Sequence, residues 1–89
     1  MVLDKKRVKM KAQVIVMLKD SVLDPQGEAV KNALGTLGYD SVKSVRQGKI
    51  IELDLNESDV TTAETNVREM CEKLLANSVI EKYSIEITE

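Results

Sequence analysis

Few side chains in this chain are equipped for chemistry, and their spacing excludes most of it. The sequence has no histidine and a single cysteine, Cys71. A lone thiol without an imidazole cannot form a cysteine–histidine dyad, a conventional zinc site or an internal disulfide. Glu52, Asp54, Glu57 and Asp59 alternate along one stretch, and Glu69 and Glu72 lie beside Lys73. Such alternation describes a solvated face followed by a cap, not a paired acid and base. The glycines, at 27, 35, 38 and 48, are scattered and make no Walker loop or GxGxxG. Asp24-Pro25-Gln26-Gly27 remains. A turn at a helix start exposes N–H groups that suit an anion, the close approach of a partner's backbone, or plain helix entry. No catalytic, cofactor-binding or metal-ligating residue is expected in this chain.

The elements that must position these residues are legible from periodicity. Met10, Ala12, Val14, Val16 and Leu18 alternate along a first strand, with Ile15 and Met17 on its other face. Asp24 is a good N-cap and Pro25 fits the first helical position, where its missing N–H costs nothing. Val30, Ala33, Leu34 and Leu37 follow as one apolar stripe, and Gly38 closes the helix. Val42–Arg46 reads as a short strand, Gln47-Gly48 as a tight turn, and Lys49–Leu55 as the returning strand of a hairpin. A second helix runs from Thr61 or Thr62 to Ala76, with Thr61 and Glu64 at capping-box spacing. Its expected buried stripe is Ala63, Val67, Met70, Cys71, Leu74 and Leu75. A last strand spans Val79 to Thr88.

The order β-α-β-β-α-β predicts an α+β two-layer sandwich, loosely duplicated. Its sheet is four-stranded and mainly antiparallel, with both helices on one face. Residues 1–8 read as an N-terminal extension and 9–89 as a single domain. Hydrophobic residues are 43% and charged residues 31% of the 89, a balance that argues against disorder. The net charge of −2 gives no overall field toward nucleic acid or an anionic membrane. The basic cluster Lys5-Lys6-Arg7 with Lys9 and Lys11 reads as a solvated terminus. No apolar run is long enough to span a membrane and the N-terminus is too charged for a signal peptide, so the cytoplasm is the expected compartment. Two helices cover only one face of such a sheet. Ile15, Met17 and Ile50 on the other face predict self-association, as a dimer or tetramer.

Several families share this order, and missing residues remove three of them. A copper chaperone needs CxxC in the first loop, which here reads KDSVLDPQG. An acylphosphatase needs an arginine there. An RNA-recognition motif needs aromatic residues on its central strands, and these strands have none. The distinctive residues are Leu18-Lys19, Val22-Leu23-Asp24-Pro25-Gln26-Gly27, Leu37-Gly38-Tyr39, Val42, Val45-Arg46-Gln47-Gly48-Lys49 and Glu52-Leu53. This series resembles the PurS family, small subunits of phosphoribosylformylglycinamidine (FGAM) synthase in purine biosynthesis, from about Lys11 to Glu89.

The resemblance implies a subunit without an active site of its own. It would join a PurQ-type glutaminase to a PurL-type synthetase, with ATP, Mg and glutamine used by those partners and ammonia passing between them. Asp24, Pro25, Gln26, Gly27, Arg46, Gly48 and Lys49 carry the resemblance on glycine-bearing turns and are the expected partner contacts. The competing reading is a stand-alone ACT-like regulatory domain that binds a small metabolite.

Overall fold

The computed structural model describes residues 10–88. The expected extension over residues 1–8, with Lys5-Lys6-Arg7, lies outside the described residues, as does Lys9. Three strands, β1 (Met10–Leu18), β2 (Gly48–Leu55) and β3 (Glu81–Thr88), make one antiparallel sheet in the order β2-β1-β3. β1 is central because it alone is apolar on both faces, the pattern of a strand with neighbours on each edge. Val14 faces Ile51 across one ladder and Ile85 across the other. Met10, Ala12, Val14 and Val16 are buried on the inner face. Ile51, Leu53, Tyr83, Ile85 and Ile87 flank them, half-buried.

α2 (Val60–Met70) covers part of that face. Asp59 caps it, accepting from the Thr62 N–H at 3.0 Å and from the Thr62 hydroxyl at 2.7 Å. The expected Thr61–Glu64 capping box is therefore displaced by an aspartate two residues earlier, a stronger N-cap than threonine. Ala63, Val67 and Cys71, four residues apart, are wholly buried, and the helix lies against β3. After Met70 the helix widens into a π turn over Cys71–Leu75, closed by the Ala76 N–H donating to the Cys71 carbonyl. The wider turn changes the phase of the stripe. Leu74, expected inside, is 82% exposed, and Met70 is also exposed, while Ala76 turns inward.

α1 (Pro25–Thr36) forms as its cap and proline dictate, with Asp24 at the N-cap and Gly38 beyond its end at φ 99°. Its packing differs from α2's. Gly27 is its one buried residue; Val30 and Leu34 are half-buried, Ala33 is exposed, and Leu37 beyond its end is 72% exposed. The expected strand Val42–Arg46 and its hairpin are not formed, so the sheet has three strands and the duplication is not visible. Val42 and Val45 are spaced by three, not two, and cannot share one face of a strand. The segment instead returns beside α1. Tyr39 N–H donates to the Leu34 carbonyl at 2.9 Å, and by Gln47 the chain is back at Asp24.

Burial divides the chain unevenly. Among the described residues, every buried apolar side chain lies in β1, at Leu55, or between 63 and 76. From residue 19 to 54 only Asp24 and Gly27 are buried.

Candidate functional site

The two segments singled out by sequence meet at the root of α1. The Asp24 carboxylate accepts from the Gly27 N–H through Oδ1 at 2.9 Å and from the Gln47 N–H through Oδ2 at 2.8 Å. One side chain thus caps the helix and ties down the returning chain, and it is only 5% exposed. Those N–H donors, Gln47 first and then Gly27, hold its pKa below the ordinary aspartate range. Such a carboxylate stays ionised at neutral pH with both oxygens occupied, which does not suit proton transfer.

Arg46 closes the same junction from the other side. Its Nη2 donates to the carbonyls of Lys19 at 2.9 Å and Val22 at 3.0 Å. Gly27 permits the close approach, since a Cβ there would overlap the Val45 carbonyl oxygen. Gly48 opens β2 beneath Met17, where a Cβ would overlap Met17 Sδ and the Val16 carbonyl. Asp24, Gly27, Arg46 and Gly48 therefore all have internal structural work. Pro25, Gln26 and Lys49 remain exposed. Gln26, Gln47 and Lys49, with Glu81, Val16 and Leu18, rim a recess of about 280 Å³.

The outer sheet face carries the second group. Ile15 lies directly opposite Ile50 across the β1–β2 ladder, and Met17 follows on the same face. Ile50 is 59% exposed and Ile15 is also exposed, whereas Met17 is half-buried. The far half of this face is polar: Lys11 pairs with Asp54 at 3.9 Å, and Gln13 lies between Glu52 and Glu86. The apolar half is the one nearest the α1 root, so both groups occupy one end of the molecule.

The remaining reactive groups are held in structural roles. Cys71 is buried, and burial pushes its thiol pKa up, away from a reactive thiolate. The Tyr83 hydroxyl donates to Glu72 at 2.6 Å, and that bond raises its pKa. Among the described residues no three histidine, cysteine, aspartate or glutamate side chains are grouped to hold a metal. No helix among them is long and apolar enough to cross a membrane.

By sequence Asp24 is a cap, and both it and Arg46 are expected partner contacts. In the structure each also reaches across more than twenty residues to join the two turns, which local spacing does not reveal. The signal was the failure of Val42–Arg46 to alternate.

Fold and surfaces together define a small α+β domain whose distinctive residues build a junction between two turns. Residues 11–89 match the family model described as PurS, phosphoribosylformylglycinamidine (FGAM) synthase. The PurS subunit of FGAM synthase from Bacillus subtilis strain 168 is 53% identical over 79 residues, 89% of this chain and 93% of that one. The crystal structure of Methanocaldococcus jannaschii PurS, one of the subunits of formylglycinamide ribonucleotide amidotransferase, superposes with a TM-score of 0.83 at 41% identity. It is covered over 90% of this chain and 96% of that one. A chain of the PurLQS structure from Thermotoga maritima superposes with a TM-score of 0.79 at 31% identity, over 89% of this chain and 98% of that one. This chain belongs to the PurS family of FGAM synthase subunits in purine biosynthesis.

Proposed function

We propose that this chain is the bridging subunit of a glutamine-dependent FGAM synthase, joining a PurQ-type glutaminase to a PurL-type synthetase. The observation that carries this is the agreement along nearly the whole chain with PurS proteins, one of them part of a PurLQS structure. The synthetase uses ATP and Mg to activate the amide oxygen of formylglycinamide ribonucleotide, and the glutaminase releases ammonia from glutamine. Ammonia that escapes to neutral water is protonated and loses its nucleophilic lone pair. A sealed assembly keeps it neutral and delivers it locally. This chain contributes contact, not chemistry, and works in the cytoplasm. The ACT-like reading rested on a β-α-β-β-α-β order, which the three-stranded sheet of the described residues does not show.

The exposed residues Pro25, Gln26 and Lys49, on a frame set by Asp24, Gly27, Arg46 and Gly48, make the contact with a partner subunit. Ile15, Met17 and Ile50 make a contact between copies. Reconstitution tests this role. Omitting the chain should abolish glutamine-dependent FGAM formation by the other two subunits while ammonium-dependent formation persists. Equal glutamine-dependent rates with and without the chain would refute the reading.

A further inference from the structure

The end of the second helix has two leucines for one seat. Continued at 3.6 residues per turn, α2 would point Leu74 within about 20° of the mean direction of Ala63, Val67 and Cys71, and Leu75 about 80° from it. The structure reverses the two. Leu74 is 82% exposed, while Leu75 is half-buried and packs against the core, as does Tyr83. One extra residue in the turn causes the reversal. The Ala76 N–H donates to the Cys71 carbonyl at 3.0 Å, a span of five residues where an α turn spans four. Such wide turns are rare and frequently fall at functional positions.

Two polar contacts hold the wide turn in place. The Tyr83 hydroxyl, on β3, donates to Glu72 Oε2 within the turn at 2.6 Å. Just beyond the turn, the Asn77 N–H donates to Glu81 Oε1 at 2.7 Å. Against these contacts stands the exposed Leu74, which forgoes the burial that its place in the stripe would give. An α turn would recover that burial. The Leu75 N–H would take over the Cys71 carbonyl, Leu74 would enter the seat, and Leu75 would move to its flank. Glu72 would turn with them and leave Tyr83. Burying a leucine and keeping a hydrogen bond to a charged group are worth similar free energies, so the two arrangements compete closely.

We propose that Cys71–Ala76 is a two-register switch. In the π register Leu74 is offered to solvent and Tyr83 holds Glu72. In the α register Leu74 is withdrawn into the core and that bond is broken. The Tyr83–Glu72 bond is the latch of the first register, and the competition of Leu74 and Leu75 for one seat is what makes the element bistable. The device is internal to one chain, so its failure leaves the bridging role untouched.

Amide relaxation dispersion on the full chain tests it. In the wild type, the amides from Cys71 to Ala76 should exchange at one shared rate with a second state populated at about 1–10%, while those around Ala63 stay flat. Tyr83→Phe keeps the ring but removes the latch, and should raise the minor population at least threefold. Leu74→Lys cannot enter the core and should abolish the exchange. Leu75→Ala empties the π seat and should make the α register dominant. Cys71 is the only cysteine, so a carbonyl label on cysteine reports one acceptor. Its coupling across the hydrogen bond should move from the amide of residue 76 to that of residue 75 in Leu75→Ala. Flat profiles from Cys71 to Ala76 in the wild type, an unchanged minor population in Tyr83→Phe, or a coupling that stays with residue 76 in a folded Leu75→Ala variant would each overturn the proposal. Should Leu75→Ala fail to fold, the wild-type and Tyr83→Phe profiles decide.

Discussion

α1 and α2 begin alike and end in different roles. Each has an aspartate N-cap whose carboxylate accepts the N–H three residues on, Asp24 to Gly27 and Asp59 to Thr62, and they are 12 and 11 residues long. Local chemistry makes both helical. α2 and the π turn after it then place Ala63, Val67 and Cys71 in the core, while α1 buries only Gly27. The difference lies in the second job of the cap. Asp59 serves its own helix, whereas Asp24 also holds Gln47 and so fixes where α1 points. A helix's formation and its destination are separate questions, and here the second is settled by one carboxylate oxygen and one arginine.

The comparison breaks most severely in α2. Val67→Asp should prevent folding altogether, because an unpaired charge would replace a fully buried side chain. Val67→Ala should cost about 2–3 kcal/mol. Loss of the cooperative thermal transition in the first and a lowered melting temperature in the second would check this. A Val67→Asp variant that melts like wild type would sink the assignment of α2 as the core helix.

Gly27→Ala is the corresponding insult at α1. The added methyl meets the Val45 carbonyl, so the junction must shift, at a cost of about 1–3 kcal/mol. Hydrogen exchange should accelerate in α1 while the α2 amides near Val67 keep their protection. Uniform acceleration in both helices would mean that α1 and the core unfold as one unit. Arg46→Ala should do the same more weakly, by about 1 kcal/mol, since it frees two carbonyls at the surface. The Gln26 side chain is exposed, so Gln26→Ala should stay within about 0.5 kcal/mol. If Gln26 contacts a partner subunit, its loss appears only as reduced glutamine-dependent rate in the reconstituted enzyme.

Acid sharpens the comparison further. Asp24, through the Gln47 and Gly27 N–H groups, and Asp59, through the Thr62 hydroxyl and N–H, both have pKa values lowered in the folded state. Folded protein then binds fewer protons than unfolded protein across the acid window. Their stabilisation is complete above the ordinary aspartate value and is lost as pH falls from there through the lowered values. Asp24→Asn and Asp59→Asn should each flatten that acid slope. The first should also loosen the junction at the root of α1, because Asn offers one carbonyl oxygen where Asp24 uses two carboxylate oxygens. An unchanged slope in both variants would show that neither cap contributes to the pH dependence. The buried Cys71 supplies the smallest expected signal: at neutral pH it should remain unmodified by a thiol reagent until the core opens.

Much of this molecule follows from its residues in order. The alternation of Met10 through Leu18 dictates a central strand with one buried face. Asp24-Pro25 dictates a helix start, Gly38 its end, and Ala63, Val67 and Cys71 the buried line of the second helix, because each depends on neighbours within a few residues. The series around Asp24 and Arg46 was likewise enough to bring the family into view. Tertiary structure alone decided the rest. Val42–Arg46 left the sheet because Gln47 and Arg46 found partners on Asp24, Lys19 and Val22, more than twenty residues away. Leu74 faced outward because a π turn slipped the helical phase after Met70. The stripe on α1 is a correct local signal that the single chain leaves largely uncovered. Local periodicity states that a face is apolar; only the closure of long-range contacts states what covers it.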